Sequence, residues 1–242
     1  MDAAGIDRAV VVQASTVYGH DNSYVVEAVR AHPGRLVGVY SVDVLAADAI
    51  EKIAHWQAQG LFGFRLFTTG STMPGQADWL ADPASFAAWA YAESNAIPVC
   101  LQMTMQGLPT LRMLLEKFPK VRVLLDHLAR PDLSDGPPFA AARALFDMAA
   151  YPGVYLKLTN RTLATAAAGG ADPARFIGAI VAAFGAGRIA WGSNFPAAEE
   201  PLPALLAQAR AALSALSDET RQMIFSGTAQ TLYPALAAPA NV

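Results

Sequence analysis

The amino-acid sequence predicts an α/β fold on one parallel sheet, a barrel of the (β/α)8 TIM type, and three observations carry that expectation. Short apolar runs rich in β-branched residues alternate with longer, Ala-rich amphipathic stretches, the pattern of repeated βα units. The 242 residues are close to the roughly 250 that one such barrel uses. Hydrophobic residues make up 54% and charged residues 15%, a composition that supplies a large core and is unlike that of disordered chains.

The strand-like runs are Arg8–Gln13, Leu36–Val42, Phe62–Leu66, Pro98–Met103, Arg122–His127, Val154–Leu158 and Arg188–Gly192. Helical patterns fall between them over Asn22–Ala31, Ala46–Gln59, Pro83–Ser94, Leu108–Phe118, Pro138–Ala149, Pro173–Phe184 and Leu202–Leu213. A last helix is expected over Asp218–Phe225, with Ser217 or Asp218 as N-cap. No linker or compositional break divides residues 1–242, so one domain is expected. Seven runs are one short of a closed barrel. The opening residues Met1 to Asp7 read as a helix end that turns through Gly5 into the first visible strand, so one βα unit is expected to be missing from the front. A seven-stranded sheet also admits an open, doubly wound arrangement that binds ligands where strand order reverses.

Charge and cysteine content narrow the class. A net charge of −3 with scattered Lys and Arg argues against nucleic acid and against an anionic membrane surface. The single cysteine, Cys100, excludes an intramolecular disulfide and a Cys-rich metal site. The N-terminus lacks the pattern of a signal peptide, and the longest apolar stretch, Phe176 to Ala186, is too short for a bilayer. A cytoplasmic protein with no membrane partner is the expectation.

In a barrel, inward-facing polar residues at the C-terminal strand ends form the site. Alternation places Gln13, Arg65, Gln102, His127, Lys157 and Asn194 there. His127 suits a general base, an electrophile or a metal ligand; the alternative is a histidine bonded to a carbonyl. Its neighbour Asp126 is expected on the opposite face, as a packing or loop-anchoring carboxylate and not a direct partner of His127. Arg65 suits a carboxylate or an ester carbonyl, or else a salt bridge to Asp43 or another acid. Lys157 holds an anion or snorkels to solvent, and Arg161, read as a loop residue, reaches the same mouth. The amides of Asn194 and Gln102 orient a substrate or water but accept no proton at neutral pH. His20, His32 and His55 fall in a loop or on helices and are read as surface residues; for His20, which follows the first strand, the alternative is to line the mouth beside Tyr18. No HxH, HExxH or CxxC spacing marks a metal site, and no GxGxxG, P-loop or GxSxG motif marks a nucleotide enzyme or a serine hydrolase.

Several segments resemble the amidohydrolase-related family, in its branch of 2-pyrone-4,6-dicarboxylate lactonase and fuconolactonase. Gly63-Phe64-Arg65-Leu66 is similar to its "GxRL" strand, and Phe118-Pro119 with Leu125-Asp126-His127-Leu128-Ala129-Arg130-Pro131 to its "FP…LDHLGxP" segment. Tyr155-Leu156-Lys157-Leu158-Thr159 resembles "VxxKLS", Trp191 to Pro196 resembles "WGSDxP", and Thr228 to Tyr233 resembles a closing "NAxxLY" helix. The resemblance implies a TIM barrel whose first strand carries a His-x-His pair, and nothing here matches that strand. It also implies an aspartate where Asn194 stands. Of the ligands that metal-binding members use, only His127 has a counterpart, so no tightly held metal is expected unless a longer form supplies the His-x-His strand.

The function implied is hydrolysis of a lactone or other small cyclic ester without a bound metal. His127, Arg65 and Asn194 would be catalytic, and Lys157, Arg161, Gln13, Gln102 and Tyr18 would bind a small anionic substrate. The alternatives are a truncated or degenerate barrel that binds a small anion without catalysis, and a decarboxylase of the same superfamily. A homodimer is compatible with barrels of this type.

Overall fold

The computed structural model describes residues 1–68, 79–168 and 171–237. Its seven strands are β1 (Ala9–Val12), β2 (Leu36–Ser41), β3 (Phe64–Phe67), β4 (Pro98–Gln102), β5 (Arg122–Asp126), β6 (Val154–Thr159) and β7 (Ile189–Gly192). All are parallel, and each pairs with its successor in the order β1 to β7. Sequential order leaves no point where strand order reverses, which removes the doubly wound alternative and leaves the curled, barrel-type sheet.

The main helices are α1 (Ser23–Ala31), α2 (Ala49–Ala58), α3 (Phe86–Ser94), α4 (Leu108–Lys117), α5 (Arg143–Asp147), α6 (Asn160–Ala168), α7 (Pro173–Phe184), α8 (Leu202–Ala212), α9 (Asp218–Gln222) and α10 (Thr228–Leu232). Local chemistry sets several starts. Asp82 and Asp172 accept the amides of Ala84 and Ala174 ahead of Pro83 and Pro173, and Ser217 accepts the amide of Thr220. The segment Asp2–Ala4 is one helical turn closed by Gly5 at φ 63°, in keeping with a helix end there.

Three elements differ from expectation. Arg161 lies on α6, not in a loop. The Pro138–Ala149 pattern resolves into short segments, with α5 between one-turn pieces at Ala140–Ala142 and Met148–Ala150. The last helix runs past Phe225, because a π-helical segment at Met223–Gly227 joins α9 to α10.

Strand alternation divides the core in two. Phe64, Leu66, Val99, Leu101, Val123, Leu125, Leu156 and Leu158 face the helices in one large apolar cluster. The approach of α1 to β2 needs a glycine, since a Cβ on Gly38 would lie 2.5 Å from Leu61 and 2.8 Å from Val25. Val37, Val39, Cys100 and Leu124 face the concave side and pack on Leu232, Tyr233 and Leu236. A cavity of about 610 Å³ lies between the β1 edge, at Ala9, Val10 and Val12, and the β7 edge, at Ala190 to Gly192.

Candidate functional site

One pleat beyond that apolar floor, the concave face turns polar. Asp126 ends β5 facing the concave side, fully buried, and its Oδ1 accepts the Lys157 ammonium at 2.9 Å. Arg65 Nη2 lies 3.0 Å from its Oδ2, but off line, so the contact is an ion pair and not an aligned hydrogen bond. Strand register sets Lys157 beside Asp126, and the Arg65 side chain reaches the same carboxylate from β3, where its own register partner is Ser41. Burial pushes the Asp126 pKa up, but the charges of Lys157 and Arg65 outweigh it and hold the carboxyl below its ordinary range. Arg65 Nη2 also donates to Gln102 Oε1, and its guanidinium lies over the Phe67 ring at 4.7 Å. Gly192 leaves room for Lys157, whose Cε would lie 2.9 Å from a Cβ at that position.

The placement of Asp126 corrects the expectation that it faces away from His127. Alternation fails because the strand ends there. His127, Leu128, Ala129 and Arg130 all have positive φ, between 53° and 56°, a conformation that non-glycine residues rarely adopt even singly. The left-handed turn brings His127 to the side that Asp126 already faces. His127 is buried, with Nδ1 2.8 Å from the Thr159 hydroxyl. Burial pushes its pKa down to about 4, against the charge of Asp126 and with those of Lys157, Arg65 and Arg161, so the ring is neutral at pH 7. If Thr159 donates to Nδ1, the other nitrogen carries the proton and acts as a hydrogen-bond donor.

Sequence reasoning gave no site role to Asp126, Thr159 or Arg130. Nε and Nη2 of Arg130 are buried without a partner, and burial, followed by the charges of Arg161 and Arg65, lowers its pKa. Its signal was its place in the segment Leu125 to Pro131, at the end of the turn that starts at His127.

The other expected residues divide. Gln102 is buried beside Arg65 and belongs to the cluster, and Arg161 acts on His127 and Arg130 by charge from α6. Gln13 does not face the concave side as expected. The inward residues of β1 are Val10 and Val12, and the Gln13 amide donates to the carbonyls of Gly19 and Asp21, anchoring the following loop. Tyr18 is half exposed and stacks on Tyr24. Asn194 lies just past β7 at φ 58°, with its carbonyl accepting the Ala198 amide. His20 joins a second cavity of about 180 Å³ with Ser41, Asp43, Arg65, Phe67 and Trp79. Arg65 therefore lines the smaller cavity and Lys157 the larger, with Asp126 between them.

Among the described residues no three His, Cys, Asp or Glu side chains are grouped to hold a metal ion. Asp126 is already paired with Lys157 and Arg65, and the Thr159 contact engages only Nδ1 of His127.

Comparison with known proteins places the architecture. The chain is 28% identical over 197 residues to an L-fucono-1,5-lactonase of Burkholderia ambifaria, covering 80% of this chain and 66% of that relative's length. A Pseudomonas putida protein assigned as a 2-pyrone-4,6-dicarboxylic acid hydrolase superposes with a TM-score of 0.77 at 24% identity, covering 98% of this chain and 88% of that one. An amidohydrolase of Burkholderia multivorans crystallised with bound zinc gives 0.79 at 23% identity, covering 97% and 85%. The Amidohydrolase family model (Amidohydro_2) matches residues 1–235, and the chain belongs to that family.

Proposed function

We propose that the protein is a hydrolase of a lactone or other small cyclic ester bearing a carboxylate, acting without a tightly bound metal. The observation that carries this reading is the excess of cationic side chains around one neutral imidazole. Among the described residues four groups act on His127 by charge: Asp126 is the carboxylate, against Lys157, Arg65 and Arg161. Arg130 adds a fourth cation to the cluster, with two buried nitrogens lacking an acceptor. A substrate carboxylate would satisfy those donors in the bidentate geometry that arginine favours. The similarity to a fuconolactonase supports a cyclic ester as the reacting group.

In this reading His127 donates a hydrogen bond to the ester carbonyl, whose oxygen becomes negative as the tetrahedral intermediate forms. A neutral imidazole with so low a pKa is a poor base but a competent donor, which assigns it polarisation of the carbonyl. Asp126 keeps Arg65 and Lys157 in place and its own charge compensated. Asn194 orients water or substrate without taking its proton.

The test is hydrolysis of five- and six-membered lactones with and without a ring carboxylate, in the presence of chelator. Turnover of the carboxylated compounds, lost in His127→Ala by about a hundred- to ten-thousand-fold, is expected. Unchanged turnover in His127→Ala contradicts the assignment.

A further inference from the structure

We propose that Ser41 and His20 form a nucleophile–base dyad in the smaller cavity, able to take up an acyl or sulfonyl group on Ser41 Oγ. The inference deepens the ester-hydrolase reading and rests on it for the natural substrate alone.

Ser41 is the last residue of β2, buried, with Oγ 2.8 Å from His20 Nδ1. That is the separation a nucleophile needs from its base. A bond that merely pins the loop to the strand is redundant here, because Asn22 already does so. Asn22 Oδ1 accepts the Ser41 amide at 2.8 Å, and its Nδ2 donates to the carbonyls of Ser41 at 3.0 Å and His20 at 2.9 Å. Asn22 is itself fully buried, so the clamp sets the serine–histidine distance through main chain. Burial lowers the His20 pKa, against the charge of Asp43 and with that of Lys52, which leaves the ring neutral and able to accept a proton at pH 7. Asp43 lines the same cavity and would offset the imidazolium formed. Arg65, beside Ser41 in strand register, lines it too, and its Nε is a buried donor without an acceptor. Nucleophile, base, acid and a cationic donor therefore border one space of about 180 Å³, large enough for a small acyl group.

With a lactone, Ser41 Oγ bonds to the carbonyl carbon as its proton passes to His20 and the carbonyl π pair moves onto oxygen. The ring C–O bond then breaks and His20 returns the proton to the leaving oxygen, leaving a hydroxyacyl ester on Ser41. Water, losing a proton to His20, adds to that carbon, and Ser41 departs with the proton as the hydroxy acid forms. This route supplies the base that Asn194 does not.

The test uses methanesulfonyl fluoride, small enough for the cavity. Oγ would bond to sulfur, fluoride would leave, and the proton would go to His20. Intact mass and peptide mapping of the whole protein at pH 7.5 should show one adduct, on Ser41, absent in Ser41→Ala and formed at least about 100-fold more slowly in His20→Gln. Circular dichroism would confirm that both variants fold. No Ser41 adduct on the unaltered protein, or an unchanged rate in folded His20→Gln, overturns the dyad. Lactone turnover unaffected by Ser41→Ala would also overturn it while leaving the hydrolase reading intact. Clean Ser41 labelling without turnover of any lactone would sustain the dyad and reject that reading.

Discussion

Cys100 and Leu124 lie one pleat nearer the N-terminal ends of their strands than Gln102 and Asp126, and all four are buried on the concave face. In the lower layer burial, joined by the charge of Asp126, outweighs the charges of Lys157 and Arg65 above it. The Cys100 thiol shares a hydrogen bond with the Tyr233 hydroxyl at 3.2 Å, and burial pushes the thiol up to about 11 and the phenol above its usual range, so both stay neutral. In the upper layer a fully buried carboxylate is ionised because Lys157, its partner in strand register, and Arg65, reaching across from β3, supply two cations. Depth alone therefore does not decide charge. The residues two positions apart along the same strands do, and a barrel concentrates chemistry at the C-terminal layer while the layer beneath supplies packing.

The largest effect separating the layers should come from Asp126→Asn. Removing the shared carboxylate strands Arg65 and Lys157 with no counter-charge and should cost about 3–5 kcal/mol in chemical denaturation. A loss below about 1 kcal/mol would mean that the two cations reach solvent without it. Next is a pH dependence confined to the upper layer. Because the His127 pKa falls from 6.5 to about 4 on folding, the unfolded chain binds the extra proton first as pH drops. Stability from this group is therefore unchanged above about 6.5, falls between 6.5 and 4 by about 3 kcal/mol, and is level below that. His127→Gln should flatten the slope in that window. The Asp126 contribution has its own window, lost only as pH falls from the ordinary aspartate range through the lowered folded value.

Arg130→Gln should weaken binding of a carboxylated lactone about tenfold or more, read as a rise in KM, and leave an uncharged lactone of the same ring unaffected. Equal losses on both would remove Arg130 from anion recognition. The smallest effect belongs to the lower layer. Tyr233→Phe removes one hydrogen bond and should cost about 1 kcal/mol with no change in turnover.

Much of this frame was legible from periodicity. Each strand lies within two residues of its apolar run, because a buried parallel strand reads as a continuous hydrophobic segment. Arg65, Lys157 and His127 were identifiable as polar interruptions of such runs. Asp126 was not, since the inference used period two through a residue where the chain leaves the extended conformation. Four successive positive-φ residues without a glycine gave no local signal of that departure. Gln13 failed for a related reason: one residue past β1 its side chain serves the loop, and the inward positions are Val10 and Val12. The Ser41–His20 contact joins residues 21 apart that no spacing rule connects.

The most direct test of the account is the rate of hydrolysis of a carboxylated lactone, against its uncharged analogue, by the unaltered protein and by His127→Ala in chelator. The account predicts preference for the charged substrate and a loss of about a hundredfold or more in the variant. Equal rates for the two substrates, or full activity without His127, would contradict it.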